Sequence, residues 1–261
     1  MCTTKHITMR LALFYNPLVI IDRLAIAINR IKRKKRLKNT PSKNLEIGYL
    51  DSLELLELIK TDGYIPNITF DIGANIGTWT LLAKSIFPKT IVYAFEPLEL
   101  HISKFKKVTK KLVDVNLMEF CLGNENTEAT INISSFSDSS SLLKATDLEY
   151  EQFEIRQVAE QKVKIKRLSD LIDNKEIKNP DLIKIDVQGF ELEVLKGLDR
   201  HLIASTYLII EVSFRKYYEG QPLFIDIANY LSNFGFNIYA FGNSTPLGQE
   251  LGQIDILFKK N

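Results

Sequence analysis

Two cysteines, three histidines and a single tryptophan are all the 261-residue chain holds of these types. Cys2 and Cys121 are far apart and form no Cys-x-x-Cys pair. That excludes a disulfide framework or a cysteine zinc site and points to a reducing, cytoplasmic setting. No His/Cys/Asp cluster has metal-ligand spacing, so no metal is expected. His101, on a helix after Glu96, is expected to be exposed, and His6 and His201 to lack partners. No apolar run approaches the roughly 20 residues of a bilayer-spanning helix. The run from Leu11 to Ile21 is interrupted by Asn16 and Pro17, and Asp22 and Arg23 follow it without a small-residue cleavage site, which disfavours a signal peptide. No internal repeat is visible.

What is present is ordinary globular composition, 45% apolar and 25% charged, enough for one large core. The net charge of +2 hides an asymmetry: residues 1–43 carry 11 Lys/Arg and one acid, while the remainder carries 23 basic and 31 acidic residues. A basic arm (1–43) therefore precedes an acidic body (44–261). Within the arm, Ile21, Leu24, Ile28 and Ile31 form one helical stripe running into the cluster Lys32–Arg36. Such a segment, taken over residues 11–38, can lie on an anionic membrane surface at the inner face. The competing reading is a helix packed on the body or on a second subunit. Oligomeric state is not legible.

The body alternates strands and helices. Strands are expected at Asn67–Ile72, Thr90–Phe95, Val115–Cys121, Asp181–Asp186, Tyr207–Val212, Asn237–Phe241 and Ile254–Phe258. Helices are expected near Asp51–Lys60, Thr78–Phe87, Leu98–Leu112, Glu191–Leu198 and Phe224–Phe234. Continuous apolar strands separated by helices specify an α/β fold with a mostly parallel sheet and helices on both faces. The last two strands are joined only by the turn-rich Gly242–Gly252, so they should form an antiparallel hairpin. Residues 122–166 break the rhythm with TINI, a serine-rich run, a helix-like stretch near 147–159 and the strand Val163–Lys166. They read either as an insertion beside the active site or as a flexible linker.

The informative stretch is Phe70-Asp71-Ile72-Gly73-Ala74-Asn75-Ile76-Gly77-Thr78, where a strand ends, glycines follow and a helix begins. Glycines there let a nucleotide-type cofactor approach the backbone. The pattern is not Gly-x-Gly-x-x-Gly, which serves a pyrophosphate, and Asp71 is a poor neighbour for phosphate but a good one for a cation. S-adenosylmethionine, with an ammonium, a sulfonium and an adenosine, meets that description. Glu96, closing the second strand, stands where a carboxylate accepts hydrogen bonds from ribose hydroxyls.

FDIGANIGTWT, FEP at 95–97, CLGN at 121–124, SSSLL at 139–143, RLSD at 167–170, DLIKIDVQGFELEVLKG at 181–197 and QIDILF at 253–258 occur in that order. Together they resemble the FkbM family of S-adenosylmethionine-dependent methyltransferases over roughly residues 67–258. The resemblance implies the class I methyltransferase fold, Rossmann-like, a seven-stranded sheet with its last strand antiparallel. It also implies O-methylation of a sugar, glycan or secondary metabolite, in many members alongside surface-polysaccharide assembly. Carried over by position, Asp71, Gly73, Asn75 and Gly77, with Thr78 opening the helix, would wall the methionine end. Glu96, followed by Pro97, would hold the ribose. Gly123 and Asn124 would contact the adenine, or simply make a tight turn. The arm lies outside the resemblance.

Asp186 ends the apolar strand Leu182–Ile185 at the edge where substrate and sulfonium should meet, and Glu191 opens the next helix. Either carboxylate could take the proton of an attacking hydroxyl, and Glu191 could instead serve the helix dipole. Lys184 shares the face of Asp186, and Glu211 is the expected partner of that lysine. The rival readings are a nucleic-acid methylase anchored by the arm and a noncatalytic protein retaining the fold. The acidic body argues against nucleic acid.

Overall fold

The computed structural model describes residues 17–45, 52–247 and 250–261. They fall in two units, residues 1–50 and 51–261. In the first, α1 (Pro17–Arg36) is followed by a 3₁₀ turn (Pro41–Asn44). Thr40 fixes that turn: its hydroxyl accepts from the Ser42 amide and donates to the Leu37 carbonyl. Leu24, Ile28 and Ile31 of the expected stripe are all exposed on α1, which ends in Arg33, Lys34, Lys35 and Arg36. Residues 11–16 of the apolar run, and with them Cys2 and His6, lie outside the described residues, as does Asp51.

The second unit begins with α2 (Leu53–Thr61), then β1 (Ile68–Ile72), α3 (Thr78–Ile86), β2 (Ile91–Phe95), α4 (Glu99–Thr109) and β3 (Val115–Met118). Next come β4 (Cys121–Gly123), β5 (Thr127–Ser134), α5 (Asp147–Phe153), β6 (Gln157–Arg167) and α6 (Leu168–Asp173). The chain closes with β7 (Leu182–Ile185), α7 (Glu191–Leu198), β8 (Tyr207–Ser213), α8 (Phe224–Ser232), β9 (Phe236–Leu247) and β10 (Glu250–Lys260).

Seven strands form one sheet in the order β3-β2-β1-β7-β8-β10-β9. β1, β2, β3, β7 and β8 pair in parallel, whereas β10 runs antiparallel to both β8 and β9. This is the class I methyltransferase order, closed by the expected hairpin. β1 and β7 are buried along their whole length, which is why their sequences are apolar except at Thr69, Asp71 and Lys184. Strand order reverses between them, and a parallel sheet opens a crevice at the carboxyl edge of such a switch point.

The structure differs from the sequence expectation in three places. Val115–Cys121 is not one strand: after β3 the chain leaves the main sheet, and Cys121 pairs with Ile165 in a three-stranded sheet of order β4-β6-β5. Hydrophobic alternation is the same whichever sheet a strand joins. The stretch near 147–159 is helical only to Phe153, and Glu154 turns the chain in the left-handed region at φ 54°. From Gln157 an 11-residue strand runs antiparallel to β5, its exposed first half holding only Val158 and Ala159 as apolar residues, adjacent instead of alternating. Finally, β9 and β10 extend through most of Gly242–Gly252, held by a ladder with register shifts instead of by side-chain pattern.

α7 lies against β4 through two glycines. A Cβ on Gly197 would stand 2.0 Å from the Gly123 carbonyl oxygen. Alanine in a helix interior ordinarily stabilises by about 1 kcal/mol over glycine. Gly197→Ala should do the opposite, lowering urea-unfolding stability by about 1–3 kcal/mol through overpacking.

Candidate active site

The loop after β1 packs onto the turn after β7. Gly73 has φ 78°, and a Cβ there would lie 1.9 Å from the Asp186 carbonyl oxygen, so no other residue fits. The Gly73 and Ala74 amides donate to the Phe95 carbonyl at 3.1 and 3.0 Å, and the Asp186 amide donates to that of Ile72 at 3.1 Å. Three strand ends are thereby tied together at the switch point. Gly77, at φ 86°, leads into Thr78 and α3, and a Cβ on it would strike the Phe105 ring at 2.8 Å.

Glu96 stands at the end of β2, 4% exposed. Its Oε2 accepts from the Asn75 amide at 2.8 Å, and its Oε1 accepts from the Leu98 amide at 2.9 Å. His101 corrects its expected exposure: it is buried, with Nδ1 3.3 Å from Glu96 Oε1. His201 also has partners, Asn179 and Asp173. Glu96 thus joins the glycine loop to the first turn of α4. Its spacing of five residues from His101 was the one sequence signal for that contact.

Asp186 meets Lys184 and Gln188. Lys184 Nζ donates to Asp186 Oδ2 at 3.1 Å and to the Gly73 carbonyl at 3.4 Å. Burial opposes the lysine's charge, but Asp186 and Asp71 outweigh it and hold the ammonium well above its usual range. Glu211 is not its hydrogen-bonded partner; Glu211 accepts from Gln188 Nε2 and Gln253 Nε2 instead. Asp71, fully buried, accepts from the Thr80 hydroxyl at 2.5 Å, and burial pushes its carboxyl up against the pull of Lys184. Glu191 accepts from the Val187 and Gly189 amides at 3.2 and 3.0 Å, which braces the turn; burial lifts its carboxyl to about 7. Of Asp71, Glu191 and Asp186, only Asp186 keeps an accessible side chain, 31% exposed.

Gly123 and Asn124 make their contacts on α7. A Cβ on Gly123 would crowd Ile165 and Phe190, and Asn124 Nδ2 donates to Glu193 at 2.8 Å. Cys121 beside them is buried, its thiol pushed up to about 12 by burial and then by Glu96, which leaves it a poor nucleophile. The serine-rich stretch is fastened beside the site. Ser141 Oγ donates to the Gln188 carbonyl at 2.6 Å, and Gln161 Nε2 on β6 donates to the Pro97 carbonyl at 2.9 Å. Tyr218 carries no motif in the sequence, and Gln188, though inside the motif 181–197, gives no sign there of its partners, which emerge only from the fold.

The donor set fits a cationic, hydroxyl-bearing ligand. Asp71 Oδ1 and Asn75 Oδ1 are buried acceptors with no donor, and acidic Asp71 and Glu96 flank the loop where a pyrophosphate would need amides and cations. The ammonium, sulfonium and ribose hydroxyls of S-adenosylmethionine match that need.

The model of the Methyltransferase FkbM domain matches residues 71–238, well over half of the chain. Similar curated proteins include Methyltransferase 1 of Beauveria bassiana, 28% identical, the match covering 61% of this chain and 70% of that one. Hexuronic acid methyltransferase AglP of Haloferax volcanii is 26% identical (61% of each chain), and 2-O-methyltransferase NoeI of Sinorhizobium fredii 24% (59% and 66%). The chain thus spans less than two thirds of the length of the latter two. Among solved structures, magnesium protoporphyrin IX methyltransferase of Synechocystis with bound SAM shares 15% identity at a TM-score of 0.47, covering 90% of this chain and 96% of that one.

His101→Phe removes one ring donor from Glu96 while keeping the buried volume apolar and filled. A hydrogen bond to a charged group is worth about 1.5 kcal/mol, so the Kd for S-adenosylmethionine should rise roughly tenfold by calorimetry, with folding retained by circular dichroism.

Proposed function

The chain belongs to the FkbM methyltransferase family, whose methyl donor is S-adenosylmethionine, and on that premise we propose that it O-methylates a hydroxyl of a sugar, glycan or secondary metabolite. Asp186 carries this reading: a part-exposed carboxylate beside the glycine loop, at the carboxyl edge of the central strands. Relatives named for a hexuronic acid and for 2-O-methylation lend it support.

When bound, S-adenosylmethionine supplies a methyl group on a sulfonium. Glu96 and the loop from Gly73 to Thr78 would seat it, with Asp71 offering its unpartnered Oδ1 as an acceptor and Pro97 fixing the start of α4. Holding two reactants in line contributes up to about 7–11 kcal/mol in good geometry. An alcohol oxygen must shed its proton as it attacks, and Asp186 is positioned to accept that proton at its carboxylate. Lys184 keeps Asp186 paired and oriented. Glu191, committed to the backbone of the turn, braces instead of acting as base. Gly123 and Asn124 would meet the adenine only by their backbone edge, since Asn124's amide is engaged by Glu193.

The arm supports a location for this chemistry. Leu24, Ile28 and Ile31 expose an apolar stripe on α1 ahead of a basic last turn, the pattern of a helix lying in an anionic membrane interface. Among the described residues, no helix is long and apolar enough to cross a membrane.

Two experiments test these readings. The protein is incubated with methyl-labelled S-adenosylmethionine and glycosides of hexuronic acids and neutral hexoses. Alkali-stable label in the sugar is expected; label released by mild alkali would mark a carboxyl ester and overturn hydroxyl transfer. Asp186→Asn should lower turnover by about 10²–10⁴ with cofactor affinity within a few-fold. For the arm, the full chain should sediment with vesicles containing phosphatidylglycerol and not with phosphatidylcholine alone. Leu24→Ser/Ile28→Ser should abolish that; sedimentation unchanged by the substitutions, or salt-sensitive binding to RNA alone, would refute it.

A further inference from the structure

β7 and β8 pair in parallel with Ile185 opposite Ile210. The next residues, Asp186 and Glu211, are therefore neighbours at the carboxyl edge of the sheet. Two carboxyl groups side by side repel when both are charged. Gln188 lies between them. Its Nε2 donates to Asp186 Oδ1 at 2.9 Å and to Glu211 Oε2 at 3.0 Å, which uses both amide hydrogens. Its Oε1 lies 3.1 Å from the Tyr218 hydroxyl, whose single hydrogen is shared between it and the Ser139 carbonyl at 2.9 Å. The opposite orientation of the amide would set its oxygen against two carboxyl groups. The backbone is held as well: Gln188 has φ 54°, in the left-handed region that favours glycine, and its carbonyl accepts from Ser141 Oγ.

A glutamine kept in that backbone region, with every polar group of its side chain engaged, is placed for a purpose that turn geometry alone does not require. We propose that Gln188 is a positioning residue for methyl transfer: its amide, oriented by Tyr218, holds the Asp186 and Glu211 carboxyl groups at a fixed separation so that Asp186 presents its free lone pairs to the acceptor hydroxyl. The proposal rests on the methyltransferase reading above. It adds that the segment 134–141 and Tyr218 act on the reaction through Gln188, with no need to touch the acceptor themselves.

The charges around the pair are set by every element packed there. Lys184 comes from β7, Asp71 from β1, Asp255 from β10 and Glu191 from α7, with Tyr218 and Glu149 on the side of the serine-rich segment. Burial, followed by Asp186, Asp255 and Glu191, drives Glu211 well above the usual carboxyl range, with Lys184 opposing. The Gln188 amide opposes that displacement of Glu211 by donating to its carboxylate. A donor to its ionised form lowers its titration midpoint, so removal of that donor raises it.

The test compares wild type with Gln188→Leu, which keeps side-chain bulk but neither donor nor acceptor, and with Tyr218→Phe, which frees the amide and leaves Gln188 in place. In the ligand-free protein the Glu211 carboxyl is followed by carbon-detected NMR against pH. Its midpoint should rise by about one unit in Gln188→Leu and by less in Tyr218→Phe. Turnover should fall at least tenfold in Gln188→Leu, while the calorimetric Kd for S-adenosylmethionine stays within a few-fold. A Glu211 midpoint that stays put in both variants, or a loss of cofactor affinity that matches the loss of turnover, overturns the assignment. Should Gln188→Leu fail to fold, Tyr218→Phe decides alone. A moved midpoint in a protein that methylates no hydroxyl acceptor would strike down the proposed reaction and leave the brace standing.

Discussion

A buried ammonium allows the acidic edge of this sheet to exist. Asp71, Asp186, Glu191 and Glu211 converge where β1, β7 and β8 end, and like charges at that density would drive one another to protonate. Lys184 sits among them with its nitrogen on Asp186 and on the Gly73 carbonyl. Burial disfavours its charge, yet the surrounding acids keep it ionised. Removing one partner of such an arrangement would leave an uncompensated charge, costing about 3–5 kcal/mol. The lysine also fastens the glycine loop to the strand that carries Asp186, so electrostatics and loop placement depend on the same nitrogen.

From that anchor the remaining parts divide the work. Asp71 and Glu191 are buried and hold backbone or hydroxyl donors in place; Glu96 and His101 tie the second strand to the loop; Asp186 keeps an accessible side chain. Of the carboxyl groups gathered there, Asp71 and Glu191 are thus buried while Asp186 keeps part of its side chain accessible. Their field suits a cationic methyl donor and repels phosphate, in keeping with the family to which the chain belongs.

Much of this was legible in residues whose roles are local. The strand-glycine-helix pattern at 70–78, the acid after β2 and the apolar strand ending in Asp186 fix the switch point, because each is set by backbone geometry within a few positions. The hairpin followed from the lack of a helix between the last strands. Illegible were contacts that depend on which way a buried side chain turns, or on segments far apart in the chain. His101 looked like a surface helix residue until α4 folded it under Glu96. Lys184 was expected to pair with Glu211, yet it found Asp186 two residues away on its own strand. Gln188 reads as a turn residue, and its partners Glu211 and Tyr218 are brought to it by β8 and by the loop between β8 and α8. The split of Val115–Cys121 between two sheets has the same origin, since alternation records burial and not the identity of the neighbouring strand.

Two of the hydrogen bonds that join the three-stranded sheet and its serine-rich loop to the methyltransferase core, Gln161 on the carbonyl of Pro97 and Ser141 on the carbonyl of Gln188, add to the packing of Gly197 on Gly123. Both anchors grip main-chain oxygens, which every residue type offers. Those two clasps therefore place no demand on the side chains of Pro97 or Gln188, only on the donors that reach their carbonyls.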